Sequence, residues 1–231
     1  MNFAWERLND SVHRCRLPFL DVTVGLVHGA KGTLLIDTGT TLTEANAIKA
    51  DVAEIVGDTV GHIVLTHYHF DHILGSSAFA GAAVYCAPEV VATIANRTEH
   101  LHADAVRYGA DPDEVANALS ALRAPESPVS QADIDLGGVS VAISHPGRGH
   151  TRHDLIVVVE DAEVPVVFCG DLVEESGDPV FDRDSDLQAW PSTLGRVLDV
   201  GGPGALFVPG HGAVVDAGFV QRQQEWLRDR V

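Results

Sequence analysis

At residues 66–72 the chain reads Thr66-His67-Tyr68-His69-Phe70-Asp71-His72, which sets three histidines and one aspartate within six residues. Imidazole and carboxylate are the ligands that zinc and other borderline divalent cations prefer. The four ligand-type side chains follow directly on a short apolar segment, 61–66, that we predict to be a buried strand. Because alternate side chains of an extended chain point the same way, His67 and His69 can address one metal ion together. A turn after Phe70 can then direct Asp71 and His72 towards a second ion.

Three further candidate ligands come later in the chain, each predicted where a strand meets a loop: His150, Asp171 and His211. A glycine precedes each of them, and a glycine lets backbone approach a metal ion without a clash from Cβ. Taken singly, a histidine or aspartate in a glycine-rich loop is a weak indication. Taken in this order after apolar strands, they predict a metal centre.

Together with Asp37 in Leu35-Ile36-Asp37-Thr38-Gly39, these segments resemble, in order, the five sequence motifs of the metallo-β-lactamase superfamily. The resemblance extends over residues 20–215. It implies a first metal position bound by His67, His69 and His150. It implies a second position bound by Asp71, His72 and His211, with Asp171 as a bridge between the two. It also implies that Asp37 lies behind the ligand loop and orients it through hydrogen bonds.

The same resemblance implies the cofactors and the reaction. We expect two zinc ions per chain, with iron or manganese as alternatives, and a water that the ions activate to hydroxide at neutral pH. The hydroxide would attack an ester, thioester, lactone or amide, and Asp71 would also orient it as a catalytic residue. Two other functions stay open: a mononuclear iron dioxygenase acting on sulfur, and a non-catalytic metal-binding module.

Within the superfamily, Asp171 indicates a hydrolase other than a true β-lactamase, because antibiotic-cleaving members generally carry Cys, Ser or Asn there. Lactonases of similar size use a tyrosine near the site, and Tyr108 is the candidate in this chain. In the same segment His100, His102 and Arg107 either meet substrate or form a solvated helix face. Asp154 is expected to hydrogen-bond its own loop.

The pattern of apolar residues predicts an α+β fold, a four-layer αββα sandwich in a single domain over residues 1–231. Short β-prone segments fill the first part of the chain and recur from about residue 134. A helical insertion at about 88–125, broken at Asp111-Pro112, separates the two β-rich halves. Further helices are predicted at 43–56, 190–199 and 217–230.

The composition narrows the classes of partner. The 231 residues include 33 acidic and 15 basic side chains, and the net charge of −18 argues against a nucleic-acid partner. No apolar run is long enough to span a membrane and the N-terminus does not resemble a signal peptide, so we expect a cytoplasmic protein without a membrane partner. Cys15, Cys86 and Cys169 are expected to be buried thiols. Acidic side chains in a loop predicted at 172–186 favour a small, neutral substrate.

Overall fold

The computed structural model of the chain describes residues 1–125, 128–160 and 164–231. Two mixed β-sheets pack against each other through their inner faces. In the described residues the first sheet has six strands, side by side in chain order: β1 (Trp5–Arg7), β2 (Val12–Arg16), β3 (Thr23–Gly29), β4 (Gly32–Ile36), β5 (His62–Leu65) and β6 (Ala83–Cys86). Neighbouring strands are antiparallel as far as β4, and β4, β5 and β6 are parallel.

The second sheet, within the same ranges, has five strands: β7 (Gln131–Asp135), β8 (Ser140–Ser144), β9 (Ile156–Glu160), β10 (Val166–Glu174) and β11 (Leu206–His211). Their order across the sheet is β11-β10-β9-β8-β7. The pair β10 and β11 is parallel, and the other pairs are antiparallel.

Helices cover the outer face of each sheet. The first sheet packs against α1 (Leu42–Val56), the one-turn α2 (Phe70–Ile73), α3 (Pro88–Asn96), α4 (Thr98–Arg107) and α5 (Pro112–Ala121). The second sheet packs against α6 (Trp190–Gly201) and α7 (Ala217–Arg228). The order helix, sheet, sheet, helix confirms the predicted αββα sandwich.

The central strands are apolar along their length because both of their faces are buried. In β9, Val157 and Val159 contact the core between the sheets, whereas Ile156 and Val158 contact the layer under α6 and α7. Alternate side chains of a strand point to opposite faces, so each layer receives every second residue. The sheets approach closely at Gly25 of β3, where a Cβ would lie 2.4 Å from the ring of Phe168.

The helical insertion is present as α3, α4 and α5. Its predicted break is the start of α5, where the Asp111 carboxylate accepts hydrogen bonds from the backbone N–H groups of Asp113 and Glu114 at 2.9 and 3.0 Å. These bonds satisfy N–H groups that have no partner inside the helix. The aspartate and the proline after it therefore begin a new helix.

Two parts of the second sheet differ from the prediction. The residues from Leu172 to Glu174, predicted as the start of a loop, instead continue β10, because pairing with β11 resumes after shifts of register. The prediction that the strand ends before Leu172 is therefore wrong. Strand β7 has no counterpart in the prediction, since Ile134 is its one fully buried side chain and the apolar pattern is weak.

Two further observations concern the cysteines and the length of the apolar helices. Cys15, Cys86 and Cys169 are buried and unpaired, as predicted. Among the helices of the described residues, none combines the length and the apolar character needed to cross a lipid bilayer.

Candidate metal centre

The seven predicted ligands meet where β5, β10 and β11 end. His67 and His69 follow β5 directly, and Asp71 and His72 lie on α2. The other three come from the second sheet: His150 from the loop between β8 and β9, Asp171 from β10, and His211 from the last position of β11. The structure therefore brings together every residue that the sequence proposed as a ligand.

The first group consists of His67, His69, His150 and Asp171, with one ligand atom of each within 4.8 Å of the others. Nε2 of His150 lies 3.0 Å from Nδ1 of His69. Oδ2 of Asp171 lies 3.6 Å from Nε2 of His67 and 3.4 Å from Nε2 of His150. Three imidazole nitrogens and one carboxylate oxygen thus converge on one point.

The second group consists of Asp71, His72 and His211. Oδ2 of Asp71 lies 3.6 Å from Nε2 of His72 and 3.4 Å from Nε2 of His211. Asp171 reaches this group as well, with Oδ1 at 3.3 Å from Nε2 of His72 and Oδ2 at 3.3 Å from Nε2 of His211. The Asp171 carboxylate is therefore the contact between the two groups.

Three buried ligand atoms have no hydrogen-bond partner among the described residues: Nε2 of His67, Nε2 of His72 and Oδ1 of Asp171. A buried polar atom without a partner costs about 1–3 kcal/mol. A divalent cation in each of the two groups would satisfy these atoms, and imidazole nitrogen and carboxylate oxygen are the donors that such a cation requires. The residues therefore fit a metal centre, because their side chains are of the donor type that a metal ion requires and several of their ligand atoms make no hydrogen bond to the described residues.

In three of these imidazoles, the ring nitrogen that faces away from the ligand cluster is hydrogen-bonded to another part of the chain. Nδ1 of His72 lies 2.8 Å from Oδ2 of Asp37, whose carboxylate also accepts hydrogen bonds from the backbone N–H and the Oγ1–H of Thr66, both at 2.8 Å. Nδ1 of His150 lies 3.0 Å from the carbonyl oxygen of Val180, and Nδ1 of His211 lies 2.7 Å from that of Leu20. A proton on Nδ1 in each case leaves Nε2 as the ligand atom.

Two backbone features make the arrangement possible. Asp37 has a φ of +59°, a left-handed conformation that aspartate and asparagine tolerate better than most residues. A Cβ at Gly210 would lie 1.8 Å from Oδ1 of Asp171, so a glycine is required beside that carboxylate. Asp154 serves its own loop, as expected, by accepting hydrogen bonds from the backbone N–H and Oγ1–H of Thr151 at 2.8 and 2.7 Å.

The two groups differ in charge. Burial, with added repulsion from neighbouring imidazoles, lowers the pKa of His67 well below its ordinary value and that of His69 to about 4. Burial also disfavours charge on His72 and His211, but Asp171 and Asp71 outweigh it and raise the pKa of His72 well above its ordinary value and that of His211 to about 10. Asp171 is desolvated too, yet these histidines hold the pKa of its carboxyl well below its usual range. Without metal, protons supply the positive charge of the second group.

The acidic segment after β10 is partly neutralised by arginines from elsewhere in the chain. Asp184 lies 3.6 Å from Arg97, and Asp186 lies 3.5 Å from Arg148. Glu174, predicted in this loop, is instead buried at the end of β10, beside Asp171 and His211. Glu174 was not among the predicted site residues, because no local pattern distinguishes it from the acidic residues that follow.

Tyr68 is the tyrosine beside a candidate ligand, since its ring centroid lies 5.1 Å from that of His69. A cavity of about 460 Å³ opens next to it and is also lined by Arg97 and Asp184. Tyr108 is 50% exposed and packs against Phe70, with ring centroids 5.9 Å apart.

In the helical insertion, the half-exposed His100 lies 3.0 Å from Asp104, one turn along the same helix. His102, which is half-buried, lies 3.3 Å from the carbonyl oxygen of Pro112. Both contacts are within the insertion, which favours a solvated helix face for these two histidines.

Three comparisons with known proteins bear on the family and the fold of this chain. A proposed transcription factor of Aspergillus versicolor, avaE, is 27% identical over 138 residues, which cover 59% of this chain and 40% of that protein's length. The type 2 metallo-beta-lactamase of Bacillus cereus is 23% identical over 209 residues, 88% of this chain and 72% of that protein. A metallo-beta-lactamase from Pontibacter korlensis shares the fold, with a TM-score of 0.77 over 98% of this chain and 99% of the other at 19% identity. The family model for the metallo-beta-lactamase superfamily matches residues 17–212, so the chain belongs to that superfamily.

Proposed function

We propose that this chain is a hydrolase that holds two divalent cations, with zinc as the expected metal, and cleaves a small, neutral ester, thioester, lactone or amide. The observation that carries the proposal is the pair of ligand groups that share the buried carboxylate of Asp171. Superfamily membership supports metal-dependent hydrolysis as the class of reaction. In this proposal His67, His69 and His150 hold one ion. Asp71, His72 and His211 hold the other, and Asp171 contacts both.

Two bound cations would supply a water of lowered pKa as the nucleophile and would polarise the substrate carbonyl. The chain's own contribution is to fix the direction of the ligand nitrogens, and burial lowers the pKa of His67 and His69, which favours their unprotonated, metal-binding form. Asp71 has a further proposed role as the catalytic residue, because its Oδ2 lies 3.6 Å from Nε2 of His72 and 3.4 Å from Nε2 of His211, at the second metal position. At that place it can orient a water and accept a proton from it.

The test combines metal content and activity on one preparation. Protein purified without added metal is analysed for zinc, iron and manganese and is assayed on a panel of esters, thioesters, lactones and amides. We expect about two ions per chain, because the seven ligands exceed what one tetrahedral ion uses. Hydrolysis should disappear with a chelator and return with Zn²⁺.

Two outcomes would contradict the proposal. A single bound iron together with oxygen consumption on a persulfide would identify a dioxygenase acting on sulfur. Two bound ions with no turnover on any class of substrate would favour a non-catalytic metal-binding module.

A further inference from the structure

One buried carboxylate beside the centre is not among the proposed ligands. Glu174 comes three positions after Asp171, and side chains with that spacing on a regular strand point to opposite faces. The pairing here is irregular: Gly170 pairs with Pro209 and Glu174 with His211, so four steps along β10 match two along β11. An irregularity of this kind re-aims side chains, and it brings Glu174 and Asp171 to the same cluster.

Glu174 lies within ligand range of the second metal position. A carboxylate oxygen of Glu174, a carboxylate oxygen of Asp171 and a ring nitrogen of His211 lie within 4.8 Å of one another. In the described part of the chain, the hydrogen bonds that reach the Glu174 carboxylate come from Ser176, at 3.2 Å from its N–H and 2.5 Å from its Oγ–H, and both end on Oε1. Oε2 is therefore free to bind a cation.

A second observation points to a cation at the same place. Asp171 is 7% exposed, and its Oδ1 accepts no hydrogen bond of good geometry from the described residues, with Nε2 of His72 as its neighbour at 3.3 Å. A buried carboxylate oxygen in that state is costly unless a positive charge satisfies it. The neighbouring Glu174 places a second buried carboxyl beside Asp171, and a bound cation would favour the ionised form of both.

Carboxylates are divided unequally between the two positions. The first has three imidazoles and the shared Asp171, whereas the second has two imidazoles, Asp71 and Asp171, to which Glu174 would add a third carboxylate. Carboxylate-rich sets suit Mn²⁺, and imidazole suits zinc. We propose that Glu174 is a ligand at the second position and biases it towards Mn²⁺, while the three-histidine position holds Zn²⁺. This refines the proposed function and rests on it for the existence of two metal positions.

The experiment compares the full-length chain with its Glu174→Gln variant. Asp178→Asn is the matched control, because Asp178 is an exposed acidic residue of the following segment. Each protein is stripped of metal, loaded with a stoichiometric amount of Zn²⁺ and titrated with Mn²⁺, while electron paramagnetic resonance follows the free Mn²⁺. We expect Glu174→Gln to bind Mn²⁺ about 10- to 100-fold more weakly, with zinc content unchanged. Asp178→Asn should behave as the unchanged chain, and Glu174→Asp should recover part of the affinity.

Equal Mn²⁺ affinity in the unchanged chain and in Glu174→Gln would overturn this inference and leave two-metal hydrolysis standing. Parallel loss of Zn²⁺ and Mn²⁺ binding, with a lower melting temperature of the metal-free variant, would show that Glu174 only supports the fold, and would overturn it too. If the unchanged chain binds no second ion of any kind, the proposed function itself fails.

Discussion

Asp37→Asn tests the support behind the second metal position. Asp37 is buried and has a φ of +59°, which asparagine tolerates as aspartate does. The substitution keeps the size of the side chain and adds no backbone strain. Its effect therefore reports on hydrogen bonding.

The magnitude follows from the three contacts of the Asp37 carboxylate. An amide keeps one accepting oxygen, which can serve the Thr66 N–H, but its –NH₂ group then faces the Thr66 hydroxyl and Nδ1 of His72. The hydroxyl can rotate to accept. His72 can avoid the clash of donors only by moving its proton to Nε2, the atom that faces the metal. The lost bond to a charged group costs about 1.5–3 kcal/mol, and loss of such support weakens metal binding about 10- to 100-fold.

The assay is competition with a chelator for the metal-loaded protein, beside urea unfolding of the metal-free protein. We expect both losses in Asp37→Asn, and a larger loss of stability in Asp37→Ala, which leaves all three donors unpaired and places alanine at a positive φ. A folded Asp37→Asn protein with unchanged metal affinity would refute the reasoning.

Asp171→Ala is expected to lower metal content and turnover far more than the free energy of unfolding; a variant with both ions and full turnover would contradict its bridging role. The raised pKa values of His72 and His211 predict proton release when metal binds at neutral pH, which calorimetry in buffers of different ionisation enthalpy would detect. The same two histidines are charged in the metal-free protein, and their contribution to its stability is fully present below their ordinary pKa of 6.5. It is lost as the pH rises through their raised pKa values in the folded protein. Metal-free protein should therefore melt at a lower temperature in alkaline buffer. A neutral ester should have a higher kcat/KM than a matched anionic one at low salt, by a small factor that shrinks as salt screens charges beyond about 8 Å; an anionic ester that is equal or better would show that the acidic segment does not govern access.

The segment 66–72 could be predicted because four side chains of ligand type follow directly on an apolar strand. That density is local, and no knowledge of distant segments is needed to see it. His150, Asp171 and His211 required their order along the chain as well, since each is weak by itself. The layered fold followed from two blocks of predicted strands, each followed by helices, since this order indicates two packed sheets with helices outside.

Features set by pairing between distant segments could not be predicted. The extension of β10 to Glu174 depends on its register with β11. The pairing of Asp184 with Arg97 and of Asp186 with Arg148 could not be predicted for the same reason, because the partners lie far apart in sequence. A count of charges within one segment misses such partners.

The imidazoles of His150 and His211 are oriented by hydrogen bonds to main-chain oxygens, those of Val180 and Leu20. A carbonyl oxygen is the same whatever side chain its residue carries. The side chain of Val180 is 56% exposed, so it can be exchanged for a polar, aromatic or charged one without withdrawing the oxygen that fixes His150. Substitutions at Val180 can therefore change the surface beside the metal centre during evolution, while the orientation of His150 is preserved.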